Sequence, residues 1–277
     1  MSHETAPDIR IPIRHTPGEA SGLGPGAVYP TRMDITLRPR AKQVVVTEEW
    51  YVRLETTKGH VYGNTLSPRD IRDEAVINNY FPRFRDAAVN LWNGKLQLIA
   101  TQHGHAPVNY DLVFRIERSM DPGSYHWSVL LHLYNKDYLP GHDGDSANWY
   151  TGVIELHLNS AVLRHITHGT TQTQTHRGIL TKAPVNIRAS QMPVAHEFGH
   201  TVGNSVGLSM HADEYYRPEY SQEQLRREIY RSIMNIGNQI EAKHADYIVN
   251  QLNQYYDTLR HNSVRFSAGK VPARPRH

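Results

Sequence analysis

The amino-acid sequence predicts an α+β fold, with a twisted N-terminal sheet and a helical C-terminal part. Three observations lead there. Between about residues 43 and 158, apolar residues alternate in short runs, the period of half-buried strands. A single helical pattern interrupts those runs. From about Gln191 onward the apolar period lengthens to that of amphipathic helices.

In chain order, residues 1–42 are dense in Pro, Gly and Arg, with Pro12, Pro17, Gly22, Gly24, Pro25, Gly26 and Pro30, and read as an extended arm or linker. Val44–Leu54 is β-branched and aromatic, and is expected to be a strand. Ser67 suits an N-cap with Pro68 at the first helical position. The helical pattern continues through Ile71, Ala75, Phe84, Ala88 and Leu91, Gly94 suits its end, and Pro82 is expected to kink or split it. Strands are expected over Leu96–Ala100, Leu112–Ile116, Trp127–Leu133 and Ile154–Leu158. Thr170–Thr175 is a short polar tract that reads as an exposed loop. Three helices follow: one over about 191–202 that stops near Gly203, one from Ser221, where Ser-Gln-Glu-Gln resembles a capping box, and one over about 241–260. The last presents Ala245, Ile248, Val249, Leu252, Tyr256 and Leu259 on one face. The end, from Ser267 to His277, reads as a frayed basic tail. The expected organisation is thus an arm over 1–42, one domain over 43–266 and a tail over 267–277.

Composition narrows the function classes. With 39% hydrophobic and 21% charged residues, the 277-residue chain is expected to be globular and soluble. The formal net charge is +3, but Lys and Arg are scattered among acidic residues, so no nucleic-acid stripe is expected. There is no cysteine, which excludes disulfides and Cys-ligated metal. No apolar run reaches the ~18 residues of a membrane span. The opening Met1-Ser2-His3-Glu4-Thr5-Ala6-Pro7-Asp8 lacks a basic segment followed by an apolar one, so no signal peptide is expected there.

Residues 194–203 carry the chemistry: Val-Ala-His-Glu-Phe-Gly-His-Thr-Val-Gly. His196 and His200 are four apart, so on a helix both imidazoles share one face and can reach one ion. Zinc suits neutral imidazole nitrogen and takes three protein ligands plus a water. Glu197 follows the first histidine and can act as the base for that water. The flanking Val194, Ala195, Phe198 and Val202 predict a buried helix, where two histidines and a glutamate without partners are costly. Gly203 then allows the chain to turn back toward the ion.

The sequence resembles the metzincin side of the zinc peptidases, whose motif is H-E-x-x-H-x-x-G-x-x-H/D followed by a turn with a methionine under the metal. His196, Glu197, His200 and Gly203 match it; the third-ligand position falls on Val206, which cannot bind zinc. Downstream come His211-Ala212-Asp213-Glu214-Tyr215-Tyr216 and then Ser232-Ile233-Met234-Asn235, which looks like the methionine turn. Together with a helix that carries a histidine, this set is similar to a bacterial subgroup that includes toxin domains fused to, or delivered by, type VI secretion spike proteins. The resemblance covers roughly residues 190–255. It implies a zinc cleft closed on one side by the His196–His200 helix. It also implies Asp213 or Glu214 as third ligand, with Asn204–Ala212 an enlarged loop before them, and Met234 packed beneath the site. His244, which shares a face with Ile248 and Leu252, is the next candidate. Glu241 resembles the more distant helix-borne glutamate of the thermolysin-like class, and His211 ranks lower. Tyr215 or Tyr216 would suit an oxyanion donor or a surface tyrosine.

The implied activity is zinc-dependent endopeptidase chemistry on a protein or peptide substrate. The protein would be made in the bacterial cytoplasm and delivered by a contractile secretion system, with a spike protein and an immunity protein as partners. Substrate would lie along an edge strand supplied by Val185–Ser190 or Ile154–Leu158. Two other readings stay open: a zinc amidase acting on cell-wall peptides, and an inactive binding module on the same fold. His165, His168 and His176, and separately His103 and His105, read as solvated loop histidines more readily than as a second metal site.

Overall fold

The computed structural model describes residues 7–15, 31–55, 73–132, 148–150, 155–159, 166–168, 175–176, 179–180, 189–204, 232–234, 238–259 and 264–272. Its centre is β3 (Gln43–Glu55), a strand of 13 residues. Val44, Val46, Trp50 and Val52 point from one face of β3 into the core, whereas Thr47, Glu49 and Tyr51 on the other face are partly exposed. That period of two makes a sheet with one apolar and one polar face.

Nine strands join in the sheet. One edge of β3 pairs with β5 (Val108–Ser119) in parallel. The other edge is shared: its first half pairs antiparallel with β2 (Thr31–Arg38), its second half in parallel with β6 (Trp127–His132). Beyond β5 lie β4 (Leu96–Gln102) and β13 (Val264–Lys270), each antiparallel to its neighbour. Beyond β6 lie β8 (Glu155–Asn159), in parallel, and then β7 (Asn148–Tyr150), antiparallel. β1 (Ile9–His15) pairs with β2. Two small two-stranded ladders, β10 (Thr175–His176) with β11 (Ile179–Leu180) and β9 (Ile166–His168) with β12 (Ala189–Gln191), stand apart from it.

The residues read as an arm therefore contribute two strands. Met33, Ile35 and Leu37 alternate into the core and are fully buried, so the hydrophobic period outweighs the Pro and Gly density around it. Pro12 lies on β1, whose paired neighbour is β2 alone among the described residues; an outer strand tolerates a residue without a backbone N–H. The expected tail likewise begins inside β13, where Ser267–Lys270 pair with Leu96–Ile99. Within the expected edge Ile154–Leu158, Glu155–His157 pair with β6 on one side and β7 on the other, so β7 is the outermost strand there among the described residues; Ile154 lies outside them.

Helix α1 (Asp73–Trp92) continues through Pro82 as one helix, so the expected split does not occur. A proline inside a helix costs about 3 kcal/mol. Burial of Ile77, Phe81, Phe84, Ala88 and Trp92, at about 1.5–3 kcal/mol for each large side chain, exceeds that cost. Residues 67–72, with the expected cap, lie outside the described residues. α1 packs on β3, β5 and helix α2 (Pro193–Thr201). The last helix begins as a 3-10 turn (Ala242–Ala245) and continues as α3 (Asp246–Thr258), burying Ile248, Leu252 and Tyr256 and leaving Leu259 exposed. The helix expected from Ser221 lies outside the described residues. Among the described residues no helix is long and apolar enough to cross a membrane.

Candidate metal centre

All nine residues of α2 are buried. Pro193 opens the helix, and the N–H groups of Ala195 and His196 donate to the Met192 carbonyl. Trp92 fastens α2 to α1: its indole Nε1 donates to the Ala195 carbonyl at 2.9 Å, and its ring meets Phe198 edge-on at 6.0 Å between centroids. Gly203, at φ +101°, ends the helix in the left-handed region, and a Cβ there would stand 2.5 Å from the Tyr247 ring. The turn this permits returns the Asn204 N–H to the Gly199 carbonyl at 3.1 Å.

His196 and His200 stand one turn apart with ring centroids at 4.9 Å and planes at 88°. Each ring is oriented by a backbone carbonyl. His196 Nδ1 lies 2.6 Å from the Ile233 carbonyl oxygen, and His200 Nδ1 lies 2.8 Å from that of Asn204. A carbonyl only accepts, so both Nδ1 atoms carry the proton and both lone pairs sit on Nε2. This is the arrangement in which metal-binding histidines are held, and the donor set fits zinc. Glu197 lies between the two on the same helix, with 9% of its surface exposed.

The Ser232-Ile233-Met234 segment supports the helix from beneath. Met234 is fully buried, and its sulfur is so close to Gly199 that a Cβ added there would stand 2.4 Å from it. Any larger residue at 199 would require Met234 to shift. The segment is held by a bond from the Ile233 N–H to the Gln239 carbonyl (2.9 Å), and Asn238 Oδ1 accepts the Met192 N–H (2.8 Å), which ties the segment to the start of α2.

The candidates for the third ligand divide. Asp213, Glu214 and His211 lie outside the described residues, as do Tyr215, Tyr216 and Val206. His244 is buried with both ring nitrogens engaged: Nδ1 accepts the Glu241 N–H at 3.0 Å, and Nε2 meets Ser232 Oγ at 3.1 Å. The Glu241 carboxylate pairs with Lys243 Nζ at 3.2 Å. Among the described residues no group of three His, Asp or Glu side chains is placed to hold a metal ion. His103 and His105 are exposed in the turn after β4.

Sequence reasoning missed the groups that orient the histidines. The Ile233 and Asn204 carbonyls belong to the backbone and leave no side-chain signal, although Asn204 directly after Gly203 was a local hint. It also missed Glu48, which faces the core between Val46 and Trp50. Its Oε2 accepts the Trp50 indole N–H at 2.8 Å. Oε1 meets no donor in hydrogen-bond geometry among the described residues, although the Thr201 hydroxyl and Trp127 indole are near enough to favour the charged form. Burial dominates and pushes the carboxyl up to about 8, against the opposing pull of Trp50, Thr201 and Trp127. A largely protonated acid thus lies behind the C-terminal end of α2 near neutral pH.

No family model, curated protein or solved structure matches the chain.

Proposed function

We propose that this chain is a zinc-dependent metalloendopeptidase of the zincin type, acting as a bacterial secreted effector. The observation that carries the reading is the pair of histidines one helical turn apart, each with Nδ1 on a backbone carbonyl, with Glu197 between them. His196 and His200 would hold the ion, with Asp213 or Glu214 as third ligand. When bound, zinc supplies Lewis acidity to water and to a peptide carbonyl. Glu197 takes a proton from the attacking water and passes it to the departing amine nitrogen. The buried surroundings of α2 limit bulk water around that carboxylate. Substrate orientation would come from an extended peptide pairing through main-chain hydrogen bonds beside α2, and β7, which lies against α2 and is the outermost strand on its side among the described residues, is the strand proposed to receive it. A secretion spike protein and an immunity protein are the partners this reading entails.

A peptide-library digest with zinc-loaded protein tests it. Wild-type protein cleaves internal peptide bonds, and Glu197→Gln, which leaves both histidines in place, loses at least a hundredfold in turnover while retaining zinc, in line with the ~10²–10⁴-fold contribution of a positioned acid–base group. Retention of a tenth of wild-type activity by Glu197→Gln rules out Glu197 as the base. Cleavage confined to cell-wall peptides turns the reading to an amidase.

A further inference from the structure

His244 was a candidate ligand by sequence, yet its surroundings give it a different task. The Glu241 N–H must donate, so His244 Nδ1 accepts and the ring proton sits on Nε2. That N–H is directed at Ser232 Oγ, which also accepts the Met234 N–H at 3.2 Å. Ser232 and Met234 flank Ile233, whose carbonyl receives His196 Nδ1. The backbone of the same histidine serves the other imidazole. The His244 carbonyl accepts from Asn204 Nδ2 at 3.1 Å, and that amide also donates to the Gly199 carbonyl at 3.1 Å. The Asn204 carbonyl in turn receives His200 Nδ1. His244 itself is 1% exposed and lies against the Trp92 ring, with centroids 6.0 Å apart. One buried residue, more than forty positions from the pair, therefore stands behind both carbonyls that set the histidine tautomers.

We propose that His244 is a positioning residue that fixes the orientation of both His196 and His200, through the Ser232–Met234 turn on one side and Asn204 on the other. The proposal deepens the zinc reading and rests on it. The ring half of the clamp can be separated from simple capping of the 3-10 turn. Asn at 244 keeps an acceptor near the Nδ1 position, for the Glu241 N–H, and cannot reach Ser232. Gln at 244 places a donor near the Nε2 position, for Ser232 Oγ, and loses the cap.

The test is zinc affinity of the full chain by chelator competition, for wild type, His244→Asn, His244→Gln and Ser232→Ala. It is paired with long-range proton–nitrogen NMR of the metal-free proteins to read the His196 tautomer. His244→Asn and Ser232→Ala are expected to lose tenfold or more in zinc affinity, within the ~10–100-fold range of groups behind a ligand, and to show His196 as a mixture of tautomers. His244→Gln is expected to restore most of the affinity and the single Nδ1–H tautomer of wild type. Should His244→Asn not fold, Ser232→Ala carries the test alone. A loss below tenfold in the folded variants, or a loss in His244→Gln as large as in His244→Asn, overturns the proposal. A wild type that binds no zinc while its His196 tautomer responds to Ser232→Ala overturns the zinc reading and leaves the clamp standing.

Discussion

Glu48 places an ionisable group where the β3 pattern calls for an apolar one, and its titration can be read in stability. Its carboxyl is raised to about 8 in the folded chain from an ordinary value of 4.5, so the folded state holds the proton more tightly than the unfolded state. The resulting stabilisation is fully present below pH 4.5 and is lost as pH rises through about 8. Wild type should therefore lose stability relative to Glu48→Gln between about pH 5 and 8, with a slope of up to ~1.4 kcal/mol per pH unit. Denaturant melts of both metal-free proteins across that range check it; parallel curves would show that Glu48 stays ionised in the fold. At this scale legibility was uneven. His196, Glu197 and His200 can be read because helical spacing alone places them together. Glu48 is harder to read, because Thr47-Glu48-Glu49 interrupts the apolar alternation with three polar residues in a row. Ile233 and Asn204 cannot be read, because they act through their backbones.

At the scale of elements, long strands with clean alternation were legible, as in β3, β4, β5, β6 and β8. The failures have physical causes. β1 and β2 lie within Pro- and Gly-rich sequence, and β13 within a polar basic stretch, so composition concealed strands that exist because a sheet neighbour pairs with them. Pro82 does not split α1, because packing of the helix on the sheet offsets the local preference that predicts a break. The junction of α1 with α2 depends most on Trp92, which joins Phe114 and Phe198 edge-on and hydrogen-bonds to the Ala195 carbonyl. Trp92→Ala should destabilise the fold by about 3–5 kcal/mol, the range for removing a buried aromatic side chain. Trp92→Phe, which keeps most of the packing and loses the N–H, should cost less, with about 1 kcal/mol from the lost hydrogen bond. Chemical denaturation of the two variants decides the order; equal losses would show that the hydrogen bond, not the packing, holds the junction.

At the scale of the whole molecule, the sheet and α1 bury one short helix that sends Val194, Ala195, Phe198 and Val202 into the core and also carries two buried histidines and a glutamate. Two histidines and a glutamate at 5–9% exposure are expensive to retain in a core without a task that needs them there. The zinc reading supplies that task, and the Met234 seat at Gly199 and the two carbonyl-held imidazoles are consistent with it. The part of the cleft expected from Asp213 and Glu214 is where the reading is most exposed to test, because loss of a direct ligand must exceed the ~10–100-fold cost of disturbing a group behind it. The most direct measurement is a zinc titration of dialysed full-length protein, run side by side for wild type, His196→Ala, Asp213→Ala, Glu214→Ala and Glu241→Ala. The predicted result is one tightly bound zinc in wild type, retained by Glu241→Ala and lost by His196→Ala and by one of the two carboxylate variants. Less than half an equivalent in wild type, with no hydrolysis restored by added zinc, would contradict it.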